Sequence, residues 1–165
     1  MSVETEKSMV LIHGVLPEMF FEALAQQACK DVVVLEGRPD LESAKDSCRK
    51  LQRRGLVPTL MADNMAGYLF YKNQLKEVWM SYQTADKEGA MCDIGALIVA
   101  VLARKHGVPV FGYPSSRKRQ LLGNPKDLLK FNGRPITNKK ILTYVPLVEW
   151  VPAKYFTKVY EDSSH

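Results

Sequence analysis

The stretch Asp31-Val32-Val33-Val34-Leu35-Glu36 constrains this chain more than any other. Its four consecutive apolar residues, three of them β-branched, leave no polar side to face water. The strand they predict must therefore be covered on both faces. Gly37 and Pro39 end it. Comparable runs recur at Ser8 to Ile12 (broken by Gly14 and Pro17), Val57 to Met61, Glu77 to Tyr82 and Val108 to Tyr113. Between them the apolar spacing changes to that of helices. One is expected from Glu18 to Cys29, with Met19, Phe20, Ala23, Leu24 and Ala28 at helical intervals. A second covers Asp40 to Arg54, with Asp40 as N-cap, Gly55 as stop, and Glu42, Lys45, Asp46, Arg49, Lys50 and Arg53 facing solvent. A short third covers Asp63 to Tyr71. A fourth, Asp93 to His106, is rich enough in Ala, Leu, Val and Ile to be buried. This alternation demands an α/β fold, a Rossmann-like, mostly parallel sheet with helices on both faces. The polar stretch before Asp93 reads as a loop. Ile141 to Tyr144 and Leu147 to Val151 read as extended segments, and Pro152 to Tyr160 as a terminal helix opened by proline.

A length of 165 residues fits one hydrophobic core, so residues 1–165 are read as a single domain with flexible ends at 1–7 and 161–165. No run of about 18 apolar residues is present, which excludes a membrane-spanning helix. The start, Met1 to Lys7, is acidic and polar and lacks the pattern of a secretory signal. A cytoplasmic protein is expected. Cys29, Cys48 and Cys92 are too scattered for a disulfide framework, and none lies near His13, His106 or His165 in sequence. Neither a metal nor a cofactor is expected.

Charge is placed unevenly. Between Pro114 and Lys140 stand Arg117, Lys118, Arg119, Lys126, Lys130, Arg134, Lys139 and Lys140 against Asp127 alone, so the rest of the chain is slightly acidic despite a net charge of +5. Such a segment reads as a solvated basic loop, or as a surface for phosphate, nucleic acid or an acidic partner. Phe131 is its one aromatic residue for base stacking.

In a sheet of this kind, ligands bind beyond the carboxyl ends of the strands. The turns to examine are His13-Gly14, Gly37-Arg38, Asp63-Asn64, Tyr82-Gln83-Thr84 and Pro114-Ser115-Ser116. Arg38 offers a planar fork for phosphate or carboxylate. Asp63 and Asn64 can meet a ligand or cap a helix. Ser115 and Ser116 can donate to a phosphate or turn the chain. His13 can carry a proton or serve structure. No phosphate-cradling GxGxxG or GxxxxGK[ST] motif occurs, and no GxSxG elbow.

A family pattern runs through these residues. Glu36-Gly37-Arg38-Pro39, then Gly55-Leu56-Val57-Pro58-Thr59-Leu60-Met61-Ala62-Asp63-Asn64-Met65-Ala66, resembles the family's E-x-R-P and G-(I/V)-P-V-T-L-I-x-D-(S/N)-M-A. Ile94-Gly95, Ala100 to Phe111, Pro114-Ser115-Ser116 and Val151-Pro152-Ala153-Lys154-Tyr155 continue it in order, from about Met9 to Tyr160. The family comprises the methylthioribose-1-phosphate isomerases, the ribose-1,5-bisphosphate isomerases and the regulatory subunits of translation initiation factor 2B. The resemblance implies a sheet of the phosphosugar-isomerase or CoA-transferase-like type and a homodimer. It also implies a small phosphorylated ligand near Gly14, Arg38, Asp63, Asn64, Tyr82, Gly95, Ser115 and Ser116.

Three departures accompany it. The family's histidine-cysteine pair, whose thiol is catalytic, reads His13-Gly14. Its G-A-D motif, whose aspartate is catalytic, reads Met80-Ser81-Tyr82. Its N-K-I-G motif, which helps hold the phosphate, reads Cys92-Asp93-Ile94-Gly95. The family's helical N-terminal domain is also absent from these residues. The resemblance thus implies a non-catalytic relative that binds a nucleotide or phosphometabolite. The alternative is an isomerase-like enzyme with reassigned chemistry, with Tyr82, Asp86 and His13 as its candidate proton carriers.

Overall fold

The computed structural model of the chain describes residues 6–27, 29 and 31–161. The expected flexible ends lie outside these residues apart from Glu6, Lys7 and Glu161, as do Ala28 and His165. Strand β1 (Met9–His13) leads to α1 (Glu18–Gln26), β2 (Val32–Leu35), α2 (Glu42–Gln52) and β3 (Thr59–Met61). A 3-10 turn at Asp63–Met65 opens α3 (Ala66–Tyr71), followed by β4 (Leu75–Asp86), β5 (Gly89–Asp93), α4 (Ala96–Lys105) and β6 (Val110–Pro114). The chain then makes an excursion holding α5 (Lys126–Leu129), β7 (Lys130–Phe131) and β8 (Arg134–Pro135). It returns through β9 (Val148–Pro152), a 3-10 turn at Ala153–Tyr155 and β10 (Lys158–Val159).

The parallel part of the sheet runs β10-β6-β4-β1-β2-β3, with Val10 opposite Val32, Ile12 opposite Trp79 and Met80 opposite Gly112. Successive residues of β1 and β2 feed opposite layers, as the pleat requires. Val10, Ile12, Val32 and Val34 pack with Leu16, Phe20, Phe21, Leu24 and Leu51 of the α1–α2 side. Leu11, Val33, Leu35, Val78 and Met80 pack with Leu69, Phe70, Val99, Ala100 and Ala103 of the α3–α4 side. Each fully buried Phe or Leu contributes roughly 1.5–3 kcal/mol. That is why the run at Val32 tolerates no polar residue. Beyond α1 the same sheet face carries an aromatic ladder. Trp79 stacks on Phe111 at 4.6 Å and on Tyr113 at 5.2 Å, and Tyr113 stacks on Tyr160 at 4.8 Å.

Several expectations need correction. Helix α2 starts at Glu42, not Asp40, because Leu41 takes a left-handed φ of 62°. Lys50 does not face solvent: it is 7% exposed, donates to the Leu16 carbonyl at 2.8 Å and pairs with Asp46. Helix α4 begins at Ala96 and buries one face only, leaving Ile98 and Val101 exposed. The stretch before Asp93, read as a loop, is the antiparallel hairpin β4–β5, and β9 adds to its far side. Ile141 to Tyr144 forms no strand. The expected terminal helix is a single 3-10 turn followed by β10, which pairs parallel to β6.

Candidate functional site

The carboxyl ends of β1, β2, β3, β4 and β6 meet at one rim of the sheet, and the residues there are tied down by different means. His13 ends β1 and is 2% exposed. Its Nε2 lies 3.3 Å from the Asp93 carbonyl and 3.1 Å from that of Ile94. Both are acceptors, so Nε2 carries the proton. Nδ1 is left as a buried atom with no hydrogen-bond partner. The next residue, Gly14, has φ 85°, and a Cβ built there would fall onto the buried Ser81 hydroxyl. A thiol-bearing side chain at that position would meet both backbone strain and a steric block.

Asp63 opens the 3-10 turn after β3. Its two carboxylate oxygens accept the backbone N–H groups of Gly37 at 2.9 Å and Arg38 at 2.7 Å, which locks the β2 turn to the β3 turn. The Arg38 guanidinium sits 5.2 Å above the Phe131 ring, with Nη2 at 3.5 Å from the Asp127 carbonyl. Asn64 is exposed. With His13, Asp63, Gly95 and the apolar Ile98, Val99 and Leu102 it lines a groove of about 250 Å³.

Tyr82 lies elsewhere. It is 7% exposed, and its hydroxyl donates to the Tyr160 carbonyl. Asp86 ends β4, and its Oδ1 accepts the N–H groups of Glu88 at 2.7 Å and Gly89 at 3.2 Å, closing the hairpin turn. Tyr82 and Asp86 border a second depression of about 490 Å³ with Lys87, Val159 and Glu161. The candidate proton carriers are thus split between two concavities, and His13 belongs to the other one. Ser115 turns the chain: its N–H donates to the Tyr82 carbonyl at 2.7 Å, and its Oγ accepts the Arg117 N–H at 3.2 Å. Ser116 is exposed.

The expectation of a solvated basic segment fails at Arg119, whose side chain is 5% exposed. Its Nη2 pairs with the Asp40 carboxylate and its Nη1 with Asp93 at 3.2 Å, while its backbone N–H donates to the Gln83 side chain. Glu149 also escaped the sequence reading. Its Oε1 accepts the Leu97 N–H at 2.9 Å and so places a carboxylate at the amino end of α4. Nothing local marks these residues, because Arg119 meets its partners 79 and 26 positions away. No group of His, Cys, Asp and Glu able to hold a metal ion occurs among the described residues. No helix among them is long and apolar enough to cross a membrane.

The model of the initiation factor 2 subunit family matches residues 6–162. The methylthioribose-1-phosphate isomerase of Desulforudis audaxviator is 31% identical over 153 residues, covering 84% of this chain and 44% of that protein. An enzyme of the same name from Thermus thermophilus is 27% identical over 150 residues, covering 84% of this chain and 46% of that protein. The chain thus spans under half the length of these curated relatives. Among solved structures, the delta subunit of translation initiation factor eIF-2B from A. fulgidus superposes with a TM-score of 0.78 at 18% identity, covering 92% of this chain and 51% of that one. The 5-methylthioribose 1-phosphate isomerase of Pyrococcus horikoshii gives 0.77 at 21% identity, covering 93% and 49%.

Proposed function

Because the chain belongs to the initiation factor 2 subunit family, we propose that it is a non-catalytic binding or regulatory domain of that family, with a crevice for a nucleotide or phosphometabolite. The observation that carries this reading is at Gly14. An aldose-ketose isomerase needs a positioned acid and base on one substrate. The resemblance puts the isomerases' catalytic thiol at this position, where this chain has a left-handed glycine backed by the Ser81 hydroxyl. Two further facts support it: the Tyr82 hydroxyl is bonded to the Tyr160 carbonyl, and Asp93 is paired with Arg119.

A phosphate would be met at the Arg38 guanidinium and the Ser115-Ser116 turn, with Arg117 and Lys118 exposed beside that turn. A cytoplasmic homodimer is the assembly we propose, supported by the exposed Met65, Tyr68, Ile98 and Val101 on α3, α4 and the turn before them. A mass measurement giving a monomer at micromolar concentration would remove that part.

The main test is direct. Purified chain is incubated with methylthioribose-1-phosphate and with ribose-1,5-bisphosphate, and the ketose products are followed by NMR. No turnover above the uncatalysed rate is expected, and measurable turnover overturns the non-catalytic reading. Thermal shifts with nucleotides and sugar phosphates test the crevice. At least one should raise the melting temperature of the wild type and fail to do so in Arg38→Ala.

A further inference from the structure

Residues Ile141-Leu142-Thr143-Tyr144 have the side chains of a strand yet form none. The cause lies next to them. Residues 121–123 run antiparallel to 145–147, joined by the Gly123 N–H on the Val145 carbonyl at 2.8 Å, the Leu147 N–H on the Leu121 carbonyl at 3.0 Å and the Leu122–Pro146 bridge. Continued in the same register, that ladder would set Thr143 opposite Pro125. Pro125 has no N–H to give, and with φ −53° and ψ −31° it already turns into α5. The opposing chain therefore leaves, and residues 141–144 go on alone. No main-chain N–H or C=O of these four residues has a hydrogen-bond partner among the described residues. Their exposure still alternates as in a strand: Leu142 is 95% and Tyr144 76% exposed, against 44% for Ile141 and 5% for Val145.

An unpaired segment of this kind is completed by a strand from another chain. We propose that residues 140–144 are the docking edge for an extended acidic segment of a partner protein, which adds to them as a strand. Charge selects the sign of the partner. Lys139 and Lys140 stand exposed at the head of the segment. Of the exposed cations from Arg117 to Lys140, only Arg117 has an ion-pair partner among the described residues, Glu42 at 2.9 Å. Two copies of this chain pairing here would bring these unpaired cations together and repel. A strand with Glu or Asp opposite Lys140, and apolar residues opposite Leu142 and Tyr144, gains at each position. Nucleic acid fits less well, since free main-chain carbonyls repel phosphate and Tyr144 is the one ring of the segment for a base. None of residues 139–144 borders either depression, so this surface and the proposed crevice stand or fall separately.

The test uses the full chain and two blocked hexapeptides, one alternating Glu with Val and the other Lys with Val, with amide exchange as the readout. The saturating Glu-Val peptide should slow exchange at residues 141–144 by about tenfold or more and leave β1 unchanged. The Lys-Val peptide should not. Leu142→Pro removes a main-chain donor and should abolish that binding, while the melting temperature falls by less than about 2 °C because the side chain is exposed. Should that variant not fold, Lys139→Glu with Lys140→Glu carries the test: it should weaken the Glu-Val peptide and admit the Lys-Val one. No protection at 141–144 by the Glu-Val peptide, or equal protection by both peptides, overturns the proposal. So does protection by an oligouridine, or by raising the protein concentration alone, which would make RNA or a second copy the occupant.

Discussion

Two aspartates on the rim of the sheet are held by opposite kinds of partner. Asp63 accepts two backbone N–H groups from the Gly37-Arg38 turn, whereas Asp93 faces a guanidinium delivered by a segment without regular structure. Main-chain donors are fixed as soon as β2 and β3 pair, so the Asp63 contact follows from the fold itself. The Asp93 contact depends on where residues 115–120 place Arg119. The first is a strut between two loops, and the second is a balance of charge among side chains from three separate parts of the chain.

The predictions rank accordingly. Arg119→Ala should cost the most, about 3–5 kcal/mol by chemical denaturation, since it strands two carboxylates in a poorly solvated site. Asp63→Asn should cost less, about 2 kcal/mol, because an amide retains one acceptor for two N–H groups. A reversed order in the denaturation midpoints would break the contrast between the two aspartates. Tyr82→Phe should cost about 1 kcal/mol, the worth of one hydrogen bond to the Tyr160 carbonyl. If it also changed amide exchange at Asp63, the separation of the two depressions would be wrong.

The smallest effect concerns Cys92. Burial, with the nearby carboxylates of Asp93 and Glu149 adding to it, pushes its thiol far above the ordinary range. A raised thiol favours the folded state while the unfolded thiol is still protonated, and that contribution is lost as pH rises past the ordinary thiol value. Stability should therefore fall gently above about pH 8.5, and Cys92→Ser should flatten the fall in a pH series of melting curves. Alkylation in the native state should spare Cys92 while labelling the half-buried Cys29 and Cys48.

Much of the fold was legible because its signals are local. The apolar runs at Val10 and Val32 and the helical spacing through Phe20 and Leu24 state their own burial. The β4–β5 hairpin was missed because Gly89 and the charged Asp86-Lys87-Glu88 tip looked like a loop. The alternation of Ala90 and Cys92, both buried, was the signal available. At the C-terminus, Pro152 suggested a helix start, while Thr157-Lys158-Val159-Tyr160 carried strand propensity that β6 then used. The Glu36 to Ala66 motif singled out Arg38 and Asp63, which the structure joins through the Arg38 N–H on the Asp63 carboxylate. The roles of Arg119 and Glu149 were illegible, since each meets partners from distant elements and neither sits in a local pattern.

The aromatic ladder has a use of its own. Trp79 is one of two tryptophans, and its stack with Tyr113 extends to Tyr160 next to β10. Close-packed rings couple their electronic transitions. The near-ultraviolet circular dichroism of this chain therefore reports on the seating of its last strand. Anything that pulls β10 away would announce itself optically before the rest of the sheet gives way, and no label would be needed to see it.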